Sequence, residues 1–119
     1  MPILQGFDKI QVQLRDRRRR LSGGVVTTTQ VGYEAPYAVY VHENRQAHHD
    51  IGKAGFLIDP FRRLRAELRK QIAEDLRSGR TLKEAMLRAG MKLMYASQEE
   101  VPVDTGFLKD SAFARVEET

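Results

Sequence analysis

The chain has 119 residues, a length that suits one domain built on a single hydrophobic core. It carries no cysteine, which excludes disulfides and thiolate-bound zinc as supports and suits a reducing compartment. The formal net charge of +4 has a local origin: Arg15, Arg17, Arg18, Arg19 and Arg20, less Asp16, give five minus one, so the remainder is balanced. A single cluster of this kind describes an arm or a loop better than a broad nucleic-acid face. No apolar run reaches the length of a bilayer span, and the start MPILQGFDK lacks the regions of a signal peptide, so a soluble product made in the cytoplasm is expected. Tryptophan is absent and aromatics are few, which argues against a base-stacking platform.

In chain order, residues 8–16 (DKIQVQLRD) alternate Ile10, Val12 and Leu14 with polar neighbours, the period of a half-buried strand. Phe7, Ile10, Leu14 and Leu21 also sit near helical spacing, which leaves a short helix as the alternative there. The arginines and Ser22-Gly23-Gly24 follow, a basic loop or arm. Residues 25–31 (VVTTTQV) are β-branched and suit a pleated surface. After an interruption at 32–36, residues 37–43 (YAVYVHE) alternate again, and antiparallel pairing of these two segments is the simple expectation. Residues 44–55 are polar, contain two glycines and read as a loop.

Asp59-Pro60 predicts a helix start, with a carboxylate to cap the first amides and a fixed φ in the first turn. Phe61, Leu64, Leu68, Ile72 and Leu76 then recur at steps of three and four, one apolar stripe, and Ser78-Gly79 ends the helix. Residues 81–84 (TLKE) have the capping-box pattern of a second helix, with Leu82, Ala85, Met86, Ala89 and Leu93 as its stripe. Ala85, Ala89, Gly90 and Ala96 are small enough to admit another backbone. The short link predicts an antiparallel helical hairpin. Pro102 ends the second helix, and residues 107–116 finish as a strand or an irregular tail. The pattern as a whole predicts an α+β fold, a small antiparallel sheet packed on a two-helix hairpin, as one domain over residues 1–119.

Chemistry-bearing clusters are sparse. His42, His48, His49, Glu43 and Asp50 have side chains able to hold zinc, but His48, His49 and Asp50 lie in a polar loop and share no helix face. The string HENRQAHHD has the letters of a His-Asn-His nuclease without its strand context. No nucleophile elbow or phosphate-binding glycine loop is present. The arginine run could touch phosphates, meet an acidic surface on a neighbouring subunit, or form a solvated turn; without interleaved aromatics or a nucleic-acid motif, the last two outrank DNA contact. The segment 101–111, VPVDTGFLKDS, reads as a tight corner: Asp104 and Thr105 accept local amide hydrogen bonds, Gly106 permits positive φ, and Phe107 and Leu108 return apolar bulk to the core.

That segment resembles the PVDTG-x-L-x-x-S motif of the small head–tail joining and tail-completion proteins of long-tailed bacteriophages. Two further segments strengthen the likeness: the tyrosine-bearing stretch 35–43 with Tyr37, Tyr40, His42 and Glu43, and Phe56-Leu57 leading into a helix. The resemblance spans roughly residues 31–111, with the motif order permuted relative to the commonest form, in which the PVDTG corner comes first. It implies a structural, non-enzymatic subunit of the virion neck, assembled in the host cytoplasm. Six or twelve copies would form a ring without metal or cofactor, meeting portal, adaptor or tail-terminator proteins. Within that reading Arg15, Arg17, Arg18, Arg19 and Arg20 would meet DNA or a neighbouring subunit, and Pro102, Asp104, Thr105 and Gly106 would form a structural corner. The other readings of the residues are a DNA-binding module centred on 15–20 and a metal-dependent hydrolase using His42, His48 and His49.

Overall fold

The computed structural model describes residues 10–16, 26–35, 38, 55–101 and 106–118, with the backbone alone for the first of these segments. Strands β1 (Ile10–Asp16), β2 (Thr27–Tyr33) and β3 (Ala112–Glu118) form an antiparallel sheet in that order, with β2 in the centre. Helices α1 (Ile58–Arg77) and α2 (Leu82–Gln98) and the short α3 (Gly106–Asp110) lie between β2 and β3 in the chain. The α+β architecture, a small sheet against a helical hairpin, is the one the pattern of apolar residues predicts.

The strand period at 10–16 prevails over the helical alternative, because a partner strand rewards the alternation of Ile10, Val12 and Leu14. These three fall at the register positions opposite Tyr33, Val31 and Thr29. The expected pairing of 25–31 with 37–43 is wrong. Both sides of β2 are taken along its whole length, by β1 through Ile10↔Tyr33 to Asp16↔Thr27 and by β3 through Thr27↔Glu118 to Tyr33↔Ala112. Of residues 37–43 only Ala38 is described; it is helical and fully buried, and its amide donates to the Ala35 carbonyl at 3.0 Å. Gly32 continues the strand rather than ending it, since ladder bonds on both sides offset the flexibility of a glycine.

Helix α1 begins two residues earlier than the Asp59-Pro60 start predicts, so Asp59 does not cap it. Leu57 occupies the N-cap position with no side-chain cap, and Asp59 lies in the first turn, where its charge suits the positive helix end. Pro60 is harmless there because the early amides have no intrahelical partner. The helix ends at Ser78-Gly79 as predicted. Gly79 has φ +99°, the Gly79 amide donates to Leu76 O at 3.2 Å, and the Arg80 amide donates to Asp75 O at 3.0 Å. This is the crossed pair of bonds with which a glycine closes a helix. Helix α2 opens on the predicted capping box: Glu84 N donates to Thr81 Oγ1 at 3.1 Å, and Thr81 N donates to Glu84 Oε1 at 3.0 Å. Hydrogen bonding of the Glu84 carboxyl to the Thr81 backbone, and then to its side chain, holds that carboxyl below its usual range.

The helices run antiparallel, as two cross-helix ion pairs record, Glu67–Lys92 at 3.2 Å and Asp75–Arg88 at 2.8 Å, with Arg63 of α1 reaching Glu100 just beyond the end of α2 at 2.7 Å. Between them and the sheet lies one core. It includes Val31, Tyr33, Phe56, Leu57, Phe61, Leu68, Ala85, Met86, Ala89, Leu93, Val101 and Leu108, with Leu64, Leu76, Leu82, Ala112, Ala114 and Val116 packed against it. Both predicted helical stripes therefore face inward.

Candidate interaction surfaces

Residues of β2 alternate between two environments. Thr29, Val31 and Tyr33 face α2. Gly90 of that helix is the point of closest approach, since a Cβ there would lie 2.5 Å from Thr29 Cγ2 and 3.4 Å from Val31 Cγ2. Polar atoms in this buried seam are satisfied: Thr29 Oγ1 donates to Met86 O at 3.1 Å, and the Tyr33 hydroxyl shares a 2.7 Å hydrogen bond with Ser97 Oγ. Tyr33 also meets Phe56 edge to face at 5.1 Å. Burial pushes the Tyr33 phenol far above its ordinary value, against the lowering effect of the Ser97 bond and with a further rise from nearby Glu100.

The other side of the sheet is polar. The Arg115 guanidinium lies 4.4 Å from the centre of the Phe113 ring, donates to Gln30 Oε1 at 2.8 Å, and sits 3.6 Å from Glu34 Oε1. Thr28 and Gly32 are buried on this side. The register brings Gln11, Gln13 and Arg15 level with Gly32, Gln30 and Thr28.

The parts of the predicted site that are described converge on one corner of the fold. Phe56 and Leu57 are fully buried core residues, and Leu108 is 2 % exposed. The Glu34 amide donates to Ser111 O at 2.9 Å, the Ala35 amide donates to Ser111 Oγ at 3.1 Å, and that hydroxyl donates to Leu108 O at 2.8 Å. Segments near residues 35 and 108, far apart in sequence, are thereby joined at the end of β2, and Phe56 meets the same strand through its edge-to-face contact with Tyr33.

Two expectations are corrected. Gly106 does not have positive φ; it opens α3, and a Cβ added there would meet nothing within 4 Å. The turn is made by a short helix, which glycine permits but does not require. Arg15 belongs to β1, not to a loop or arm, and lies opposite Thr28, because the ladder runs through Asp16. Arg17, Arg18, Arg19, Arg20, Tyr37, Tyr40, His42, Glu43, His48, His49, Pro102, Asp104 and Thr105 lie outside the described residues.

Sequence reasoning also missed polar residues at core spacing. Ser97 continues the line of Met86, Gly90 and Leu93, and Asp75 follows Leu68 and Ile72. Asp75 is 8 % exposed and ion-paired with Arg88, with Arg80 at 3.8 Å. A polar side chain inside an apolar stripe is the signal that both offered. Exposed apolar groups include Tyr95 and Phe107, near the end of α2 where Gln98 Nε2 donates to Lys109 O at 3.0 Å. Among the described residues no cluster of three metal-capable side chains occurs, and no helix is long and apolar enough to cross a membrane.

Comparison with known proteins finds no matching family model, no matching curated protein and no matching solved structure.

Proposed function

We propose that this chain is a structural subunit of a phage neck, one copy in a ring that joins the DNA-filled head on its portal side to the tail. The observation that carries the reading is the combination of three family-like segments in one short chain: VPVDTGFLKDS, the tyrosine stretch at 35–43, and Phe56-Leu57. Support comes from the described residues of these segments, Ala35, Ala38, Phe56, Leu57, Val101 and Leu108, which all belong to the buried core. Ser111 adds hydrogen bonds to Glu34, Ala35 and Leu108, so these parts are held by packing and local hydrogen bonds, the chemistry of a scaffold.

A ring of copies requires head-to-tail contacts that close by rotation. The arginine run gives such a subunit a charged contact for an acidic neighbour. A lumen through which DNA must slide is poorly served by tight phosphate clamps, so protein contact is the favoured role. The test is phage production without this chain. Filled heads and complete but unjoined tails are expected. Normally joined, infectious particles would refute the reading. Replacing Arg17, Arg18, Arg19 and Arg20 with glutamate then assigns the run. Loss of joining supports subunit contact, whereas normal particles defective only in DNA retention or delivery would assign it to DNA.

A further inference from the structure

Strands β1 and β3 are both antiparallel to β2, so they run parallel to each other at the two rims of the sheet. Among the described residues neither outer rim carries a strand. A rim that carries no further strand offers its outward amides and carbonyls as a template for another chain. We propose that a second copy of this chain docks on β3 through its own β1, parallel and in register, so that the sheet continues from one subunit to the next. The proposal rests on the neck-ring reading for its closure but makes a separate claim about which strands meet.

Three observations select this occupant and this alignment. The first is direction. A rotation cannot reverse a strand's component along the rotation axis, so copies around an axis aligned with the strands keep β1 pointing the way β3 points. An antiparallel contact could not belong to such a ring. The second is pattern. The common register to β2 puts Ile10, Val12 and Leu14 on the levels of Ala112, Ala114 and Val116. Ala114 and Val116 pack toward the core, so the added strand extends the existing apolar side of the sheet.

The third is charge. Arg15 shares a level with Thr28, and Thr28 with Glu117, so Arg15 of one copy falls beside exposed Glu117 of the next. Asp16 falls level with Glu118, a like-charged pair at the last step, and Arg17 to Arg20 follow it directly in sequence. A slip of two residues, the smallest that keeps each side chain on its own side, would set Arg15 beside Arg115 or beyond the end of β3. In-register pairing is therefore the arrangement that matches both apolar and charged positions. It is heterologous, so each copy offers one free rim to the next.

The chain has no cysteine, which permits a direct test. Gln13→Cys combined with Arg115→Cys places thiols on adjacent strands of neighbouring copies. Within one copy the same positions are two strand spacings apart, roughly 9.5 Å, beyond the reach of a disulfide. Oxidation of the concentrated double variant should give a ladder of dimers, trimers and larger species on a non-reducing gel, lost on reduction. Arg15→Cys with Glu117→Cys should give the same ladder, and keeps the test informative if the first pair folds poorly. Each single-cysteine variant should stay monomeric.

In the Gln13→Cys, Arg115→Cys background, Glu117→Arg should lower linkage about two- to fivefold, as expected for a cross-strand charge pair, and adding Arg15→Glu should restore it. No ladder from either pair overturns the proposal. So do dimers from a single-cysteine variant, or linkage indifferent to the charge reversals. A ladder from a chain that proves absent from phage necks would keep the strand pairing and discard the neck reading. A neck ring whose cysteine pairs never link would do the reverse.

Discussion

The two long helices are written in the same apolar period, yet the protein holds them differently. Helix α2 is gripped on two sides. It presents Met86, Gly90 and Ser97 to the sheet, and Arg88 and Lys92 to α1. Helix α1 lies outermost, with Phe61, Leu68 and Ile72 turned inward and a long charged surface turned outward. The period places a stripe; the size of the residues beside it decides how many neighbours a helix can have. Small side chains at Ala85, Ala89 and Gly90 let α2 become the central element.

The contrast can be broken at matched leucines. Leu93 in α2 is fully buried, and Leu93→Ala should cost about 2–5 kcal/mol. Leu64 in α1 only packs against the core's margin, so Leu64→Ala should cost about 1 kcal/mol. Chemical denaturation of both variants checks the pair, and equal losses would remove the distinction. At the seam itself, Gly90→Val forces atoms against Thr29 and should cost about 1–3 kcal/mol through overpacking, measured in the same way.

Tyr33→Phe sharpens the comparison by leaving shape nearly intact while stranding Ser97; a loss of about 1–2 kcal/mol is expected. It should also change the alkaline limb of stability. The folded phenol holds its proton more tightly than the unfolded one, so its contribution is whole below the ordinary value of 10.0 and is lost as pH rises above it. Melting curves between neutral pH and pH values beyond 10.0 should fall more steeply for the unmodified chain than for Tyr33→Phe. The smallest effect belongs to Gly106→Val, where open space and an ordinary helical φ predict a change within about 0.5 kcal/mol. A large loss in thermal melting would restore the strained corner that the sequence suggests.

Local rules explain why these elements were legible in advance. Both helical stripes, the Thr81–Glu84 capping box, the Gly79 stop and the alternation at 10–16 are patterns within a few residues of one another. What local pattern does not carry is partnership. Strand β2 takes β3 from the far end of the chain, as Gln30 and Arg115 show by meeting across 85 positions. A nearby β-rich segment is the cheaper partner to close, so it is the one a short-range argument selects. Here the helical hairpin covers one side of β2, and the chain returns through α3 to fill its remaining rim. The same limit applies to the candidate surface. Arginines and glutamates were visible as charges, but the level shared by Arg15 and Glu117 exists only once β2 has aligned the two strands.

In the proposed assembly, copies of this chain close into a ring at the head–tail junction by running one sheet into the next. Electron cryomicroscopy of purified particles at side-chain detail measures this most directly. The expected map shows this chain in the neck, with β1 of each copy parallel to β3 of its neighbour and Arg15 beside Glu117. A neck without this chain, or a ring whose subunits meet through other surfaces with both rims unpaired, would contradict it.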